Sequence, residues 1–312
     1  MEFMNQNAET FGAGSWEHMV TALQAVAPPQ AIKILMVGDV LGRPGRKLIR
    51  EWIPPLRKQL GLHFVTINAE NLAGGFGITL KTFQEMLDVG VDVLTMGNHW
   101  NDKPDVHMIR RNHTQMVLPQ NLPDVDGVKT IPLFDIPNTQ KKVLIGNLMG
   151  NFAMKHQYLD PFAFLQKSYP DLKAKVESGQ YLFLMDVHAE ASSEKQAMAW
   201  YLDGICTALV GTHTHCPTAD ERITSQGTAF LTDVGMTGPY RSIIGMDVER
   251  TLLRYLPPKV TKAHEVAEKD SWLCAFLIYA HPLSGKAQYA ARLQYRSESN
   301  QWSFFGVRGV ES

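Results

Sequence analysis

"ICTALVGTHTH", residues 205–215, is the stretch whose reading decides the fold. Its apolar part lacks the alternation of a half-exposed strand, so it reads as a strand buried on both faces. It ends in two histidines separated by one threonine. Runs of the same kind recur on either side: "IKILMVGD" (32–39), "HFVTINAEN" (63–71), "VDVLTMGNH" (91–99), "KVLIGN" (142–147), "YLFLMDVHAE" (181–190) and "TAFLTDVG" (228–235). Between several of them lie helical patterns, including "GRKLIREWIPPLRKQL", "TLKTFQEMLDVG", "DPFAFLQKSYPDLKAKVESG" and "SSEKQAMAWYLDG". Buried strands alternating with helices predict a layered α/β domain. Pro54 and Pro55 should kink or break the first helix. Towards the C-terminus "SWLCAFLIYA" and "AQYAARLQYR" flank "HPLSGK", the pattern of a hairpin that adds antiparallel strands. Residues 1–30, ending in "APPQ", read as an N-terminal extension with one short helix around "SWEHMVTALQAVA"; residues 31–312 read as a single domain.

Composition excludes several classes. Of 312 residues 45% are hydrophobic and 20% charged, enough apolar material for a sizeable core. Lys and Arg number 30 against 31 Asp and Glu, so no bulk attraction to nucleic acid or membrane is expected, and a phosphate-bearing ligand must be held locally. Cys206, Cys216 and Cys274 show no paired spacing, which points to a reducing, cytoplasmic setting. The first thirty residues lack a basic start and a continuous apolar core, and no apolar run is long enough to span a bilayer.

The chemistry lies in what terminates the strands. The first run ends in Asp39, the second in Glu70 and Asn71, the third in Asn98 and His99, the fifth in Asp186 and His188, and the sixth in His213 and His215. A single strand-end Asp is an ordinary turn former or helix cap. Polar side chains at successive ends of otherwise apolar strands are a different matter, because the carboxyl ends of strands in layered α/β proteins converge on one crevice. Carboxylate, amide and imidazole donors without thiolate suit Mn, Fe or Zn, and the imidazoles argue against Ca or Mg. So many ligands suit two ions better than one, and two ions about 3.5–4 Å apart with a bridging hydroxide serve in-line displacement at phosphorus.

"ILMVGDVLGRPGR", "INAENLAGGFGIT", "TMGNHWNDK", "LPQNLP", "DVHAEASSEKQAMAWYLDG", "GTHTHCPTADERI" and "TDVGMTGPYRSIIGMD" together resemble the YmdB-like branch of the calcineurin-like metallophosphoesterases, over about residues 32–256. The resemblance implies a four-layer α/β/β/α sandwich, two packed mixed sheets flanked by helices, and a dinuclear centre that hydrolyses phosphodiesters. It makes Asp39, Asn71 and His215 ligands of a first metal, Glu70 the bridging carboxylate, and Asn98, His188 and His213 ligands of a second, with Mn, Fe or Zn as the ions. His99 becomes the imidazole that assists the leaving oxygen, oriented by Asp102. Most calcineurin-like enzymes begin with Asp-x-His and bridge with Asp; Asp39-Val40-Leu41 and Glu70-Asn71 depart from that pattern. Two further departures bear on substrate choice. Trp100 and Asn101 stand where the family commonly has Thr and Trp, and Leu118 of "LPQN" replaces a family arginine while Asn121 remains.

Cyclic nucleotides, 2′,3′ or 3′,5′, are the substrates the resemblance favours, with Asn121, Thr237 and Tyr240 as candidate substrate contacts. The expected partners are a small phosphodiester or nucleotide and further copies of the chain, a homo-oligomer. A phosphomonoesterase or nucleotidase with the same centre, and a regulatory nucleotide-binding protein of low turnover, are the rival readings. An RNA-cleaving nuclease would need a local basic patch such as Arg43, Arg46 and Lys47. Gly74, Gly75 and Gly77 read as a flexible loop rather than a phosphate cradle, and Cys216 as a small packed residue. His107, His113 and His156 carry no assigned role.

Overall fold

The computed structural model of the chain describes residues 8–123, 125, 130–261 and 263–309. The chain enters through β1 (Ala8–Gly14) and α1 (Trp16–Ala25). It then alternates β2 (Ile32–Val37), α2 (Gly42–Leu60), β3 (Phe64–Asn68), α3 (Leu80–Asp88), β4 (Val93–Thr95), α4 (Asp105–Asn112) and β5 (Met116–Val117). A second alternation runs through β6 (Leu133–Asp135), β7 (Lys142–Met149), α5 (Pro161–Glu177), β8 (Tyr181–His188), α6 (Ser192–Tyr201), β9 (Ala208–Thr212), β10 (Arg222–Ile223) and β11 (Ala229–Leu231). After it come β12 (Gly238–Pro239), α7 (Val248–Tyr255), β13 (Ser271–Ala280), β14 (Ala287–Arg296) and β15 (Gln301–Arg308).

These strands form two mixed sheets. The larger runs β1-β15-β14-β13-β2-β3-β4-β5, with β12 beside β13, and the smaller runs β10-β11-β9-β8-β7-β6. Within them β2 to β5 are parallel, as are β7, β8, β9 and β11. Side chains alternate faces along each strand, and both faces are covered. Ile34 and Met36 of β2 meet Leu184 and Val210 of the smaller sheet in a core between the sheets. The intervening Leu35 and Val37 pack with Leu23, Ile53, Phe83 and Ile109 from the helices behind the larger sheet. Phe183 and Met185 pack with Leu165, Leu172 and Met198 on the far side of the smaller one. Helix, sheet, sheet, helix is therefore the layering, and burial on both faces is why the strands read as unbroken apolar runs. Each large apolar side chain so buried contributes about 1.5–3 kcal/mol.

The expected C-terminal hairpin is present: β13 and β14 pair antiparallel, and β15 extends the sheet to β1. Two expectations change. Residues 8–25 are woven into the larger sheet: β1 pairs with β15, α1 buries Met19, Val20 and Leu23, and the Tyr279 hydroxyl donates to Leu23 O at 3.0 Å. The start expected near Ala31 thus falls inside the packed unit, because β1 has no distinctive apolar run and gains its place through a partner nearly three hundred residues away. Pro54 and Pro55 do not break α2, which is continuous across them. The carbonyls they leave without a partner belong to Arg50 and Glu51, on the exposed side, where water can serve. Among the described residues no helix is long and apolar enough to cross a membrane.

Candidate metal centre and catalytic cleft

The parallel strands of both sheets deliver their carboxyl ends to one edge of the sandwich. Asp39 follows β2, Glu70 and Asn71 follow β3, Asn98 and His99 follow β4, His188 ends β8, and His213 and His215 follow β9. Two donor clusters result, Asp39 with Glu70 and His215, and Glu70 with His188 and His213; within each, the ligand atoms lie within 4.8 Å of one another. Either cluster can hold a metal ion, and Glu70 belongs to both. His213 and His215 fall in different clusters, each with left-handed φ, 98° and 64°. Such backbone costs about 1–3 kcal/mol per residue and persists where surrounding contacts impose it. Here Thr214 imposes it: its N–H and hydroxyl both donate to Asp233 Oδ2, at 3.2 and 2.8 Å. Asp233 is in turn held at 2.9 Å by the ammonium of Lys195, whose side chain is 0% exposed.

Hydrogen bonds set the tautomers. Thr212 Oγ1 donates to Asp186 Oδ1 at 2.7 Å, so it accepts from His188 Nδ1 at 2.9 Å and leaves Nε2 turned to the cluster. That nitrogen lies 2.9 Å from Asn98 Oδ1, 3.1 Å from His213 Nδ1 and 3.3 Å from Glu70 Oε1. His213 Nε2 faces Glu190 Oε2 at 3.2 Å, and donation there leaves a lone pair on Nδ1. His215 donates through Nδ1 to Ile244 O at 3.0 Å and keeps Nε2 free. One proton cannot satisfy several acceptors converging on one nitrogen; a cation can. Among the described residues Asp39 Oδ1 and Asn71 Oδ1 are also buried without a hydrogen-bond partner, although Asn71 Nδ2 is fixed at 2.9 Å on Gly75 O. The donor set thus fits the hard-to-borderline ions expected from the sequence.

The charges are mutually adjusted. Burial raises the Asp39 carboxyl to about 6, against the pull of His215 and His188. Burial would raise Glu70 too, but His188 and His99 more than offset it and hold it near 2. Burial opposes a charge on His188, yet Glu70, Asp39 and Asp186 push it up to about 9. His213, partly buried and beside His188, drops to about 3. A proton on His188 Nε2 uses the lone pair a cation would take, so metal binding there must release it.

His99 stands at the rim. Its backbone N–H donates to Glu70 Oε2 at 2.9 Å, and Nδ1 pairs with Asp102 Oδ2 at 2.6 Å, which leaves Nε2 for proton exchange. Phe76 lies edge-on to the imidazole, ring centres 5.0 Å apart. The glycine-rich stretch before Phe76 is therefore a shaped turn, closed by Ala73 N–H to Gly77 O at 2.9 Å, with Gly75 at φ 90° presenting the carbonyl that orients Asn71. Asn98, His99, Asp102 and His213 line a cleft of about 300 Å³ with Ala153, Met154, Lys155 and His156.

Other candidates fall elsewhere. Asn121 is buried and fully bonded to backbone: its amide donates to Met149 O and Leu159 O, each at 2.8 Å, and its oxygen accepts from Met149 N–H. Thr237 is buried with its hydroxyl exchanged with the Cys274 backbone. Tyr240 stacks on Trp272 and bonds Met236 O at 3.0 Å and Cys274 Sγ at 3.2 Å. All three expected substrate contacts thus hold the frame, since their polar atoms are already paired inside it. Two members of the expected basic patch are engaged by acids, Arg43 with Glu268 and Arg46 with Glu85. Cys216 is exposed, not packed. Sequence reasoning missed Gly97, where an added Cβ would lie 2.3 Å from Glu70 Oε2 and 2.5 Å from His188 Nε2. It also missed Glu190, the Lys195–Asp233 pair and the cleft position of His156. Only the Gly in "GNH" offered a signal.

A four-layer sandwich whose two sheets bring His, Asp and Glu together at their facing strand ends is the build of a metallophosphoesterase. The chain matches the model of the YmdB-like protein family over residues 35–293 and belongs to that family. It is 40% identical, over 84% of its length and 96% of the relative's, to the 2′,3′-cyclic-nucleotide 2′-phosphodiesterase of Bacillus subtilis. Among solved structures it is similar to a hypothetical protein from Thermus thermophilus, with TM-score 0.75, 31% identity and coverage of 85% of this chain and 99% of that one. It is also similar to a phosphatase from Mycoplasma pneumoniae, with TM-score 0.69, 28% identity and coverage of 90% and 95%.

Proposed function

We propose that this phosphoester hydrolase opens 2′,3′-cyclic nucleotides at the P–O2′ bond, with two donor clusters that share Glu70 as the residues that would hold two divalent ions. The observation that carries the reading is the pair of donor clusters sharing that carboxylate, with the His99–Asp102 pair beside them. Asp39, Asn71 and His215 would complete one site, and Asn98, His188 and His213 the other. The ions, Mn or Fe by donor type and Zn as the alternative, supply positive charge at phosphorus and a water activated for attack.

The chain's own residues do the rest. Gly75 O and Thr212 Oγ1 hold Asn71 and His188 in register, and Glu70 is kept ionised by the imidazoles around it. As the water oxygen bonds to phosphorus and the P–O2′ bond breaks, His99 passes a proton from Nε2 to O2′ with Asp102 fixing its ring, and the proton that the water gives up restores it; the product is a nucleoside 3′-phosphate. The curated relative's name supports 2′,3′ over 3′,5′ substrates. Free Cys206, Cys216 and Cys274 support a cytoplasmic setting.

The test is hydrolysis of adenosine 2′,3′-cyclic phosphate by metal-quantified protein supplied with Mn, Fe or Zn, with the product isomer identified. Adenosine 3′-phosphate is expected. Failure on the 2′,3′-cyclic ester with turnover of 3′,5′-cyclic AMP would move the substrate assignment. Turnover of p-nitrophenyl phosphate alone would make the chain a phosphomonoesterase.

A further inference from the structure

One wall of the cleft that His99 lines is a hydrogen-bonded segment carrying Lys155 and His156, both exposed. Asn151 and Tyr158 close it reciprocally, Asn151 Nδ2 donating to Tyr158 O at 3.1 Å and Tyr158 N–H to Asn151 Oδ1 at 2.9 Å. Glu194, in the first turn of α6, accepts from the N–H groups of Asn151 and Phe152 at 2.9 and 3.1 Å. Gly150 lets that carboxylate approach, since a Cβ there would lie 2.5 Å from Glu194 Oε2. Between the closed ends, Lys155 and His156 line the same cleft as His99, Asn98 and His213. Among the described residues neither side chain has a hydrogen bond or ion pair, and the acid lining the cleft, Asp102, is taken by His99.

Charge counting gives this wall a purpose. A nucleoside 2′,3′-cyclic phosphate carries one negative charge, and the metal clusters take it. The Lys155 ammonium and the His156 ring, exposed in the same cleft, are then left to meet a second anion that the substrate brings. Resting on the phosphodiesterase reading above, we propose that Lys155 and His156 form a subsite for a second phosphate. The preferred substrate is then a 2′,3′-cyclic nucleotide that also bears a phosphate on its 5′ oxygen, as a mononucleotide or as the 3′ end of an oligonucleotide. The chain's near-neutral net charge fits a local contact with one phosphate better than a long backbone-tracking groove.

The experiment compares kcat/KM of the metal-loaded full chain on adenosine 2′,3′-cyclic phosphate, its 5′-phosphorylated form and a diadenylate ending in a 2′,3′-cyclic phosphate. Phosphorylated substrates should be favoured by about five-fold through KM, the scale of one exposed charge pair, with the preference shrinking as salt rises. In Lys155→Ala and His156→Ala the ratio should fall towards one. Preference for the mononucleotide alone identifies a terminal dianionic phosphate as the ligand; preference for both identifies any 5′-linked phosphate. Equal kcat/KM for all three substrates, or a preference that survives both substitutions, overturns the subsite while leaving the phosphodiesterase reading standing. If none is turned over, that reading fails instead, and equilibrium binding of the same ligands to wild type and Lys155→Ala still decides the subsite.

Discussion

The two donor clusters share Glu70 but are held in different ways. Around His188 the supports are buried side chains from both sheets: Asp186 accepts from Thr95 at 2.6 Å, from Thr212 at 2.7 Å and from Asn68 at 3.0 Å, and Thr212 then fixes the imidazole. Around Asp39 the supports are loop backbone: Gly75 O orients Asn71, Ile244 O orients His215, and the His213 N–H bonds Asp39 Oδ2 at 3.1 Å. The first arrangement is set by the packing of the sandwich itself, and the second by turns that lie over its edge. An ion in the His188 cluster should therefore be the more slowly exchanged, because the elements that must open to release it are the most buried.

Substitutions can break this contrast at graded strength. Gly97→Ala should remove both clusters together, since its methyl would enter the space of Glu70 and His188; metal analysis should show loss at both sites, with turnover abolished while circular dichroism stays native. Retained metal after this change would mean that the Glu70–His188 contact is not what assembles the centre. His99→Ala should spare both clusters and lower kcat by about 10²–10⁴-fold. A parallel loss of metal would make His99 a ligand. Asp186→Ala should separate the clusters, weakening the ion on His188 by about 10–100-fold while the Asp39 site keeps its own, as read by stepwise metal titration. Tyr240→Phe is the mildest, expected to cost about 1 kcal/mol in urea unfolding with KM unchanged, because its hydroxyl serves Met236 O and Cys274. A raised KM in that variant would return Tyr240 to the substrate.

Much of the candidate centre was legible because its residues sit where strand patterns end. Asp39, Glu70, Asn98, His188 and His213 each follow an apolar run, and topology alone sends such positions to one edge. Asp186 was visible beside His188, but its supporting role was not, for a physical reason: its partners Asn68, Thr95 and Thr212 are ordinary strand residues until two sheets pack and bring them within hydrogen-bond range. Asn121, Thr237 and Tyr240 erred in the opposite sense. They look available beside loops, yet the fold pairs the polar atoms of their side chains.

The periodicity of burial is a local property, so the amino-acid sequence by itself determined the layered α/β fold, the C-terminal hairpin and the strand-end donors. Contacts between distant residues decided what remained. The pairing of β1 with β15, the continuity of α2 through Pro54 and Pro55, the tautomers of three histidines, the space at Gly97 and the place of Lys155 and His156 in the cleft all depend on neighbours that only the closed sandwich supplies.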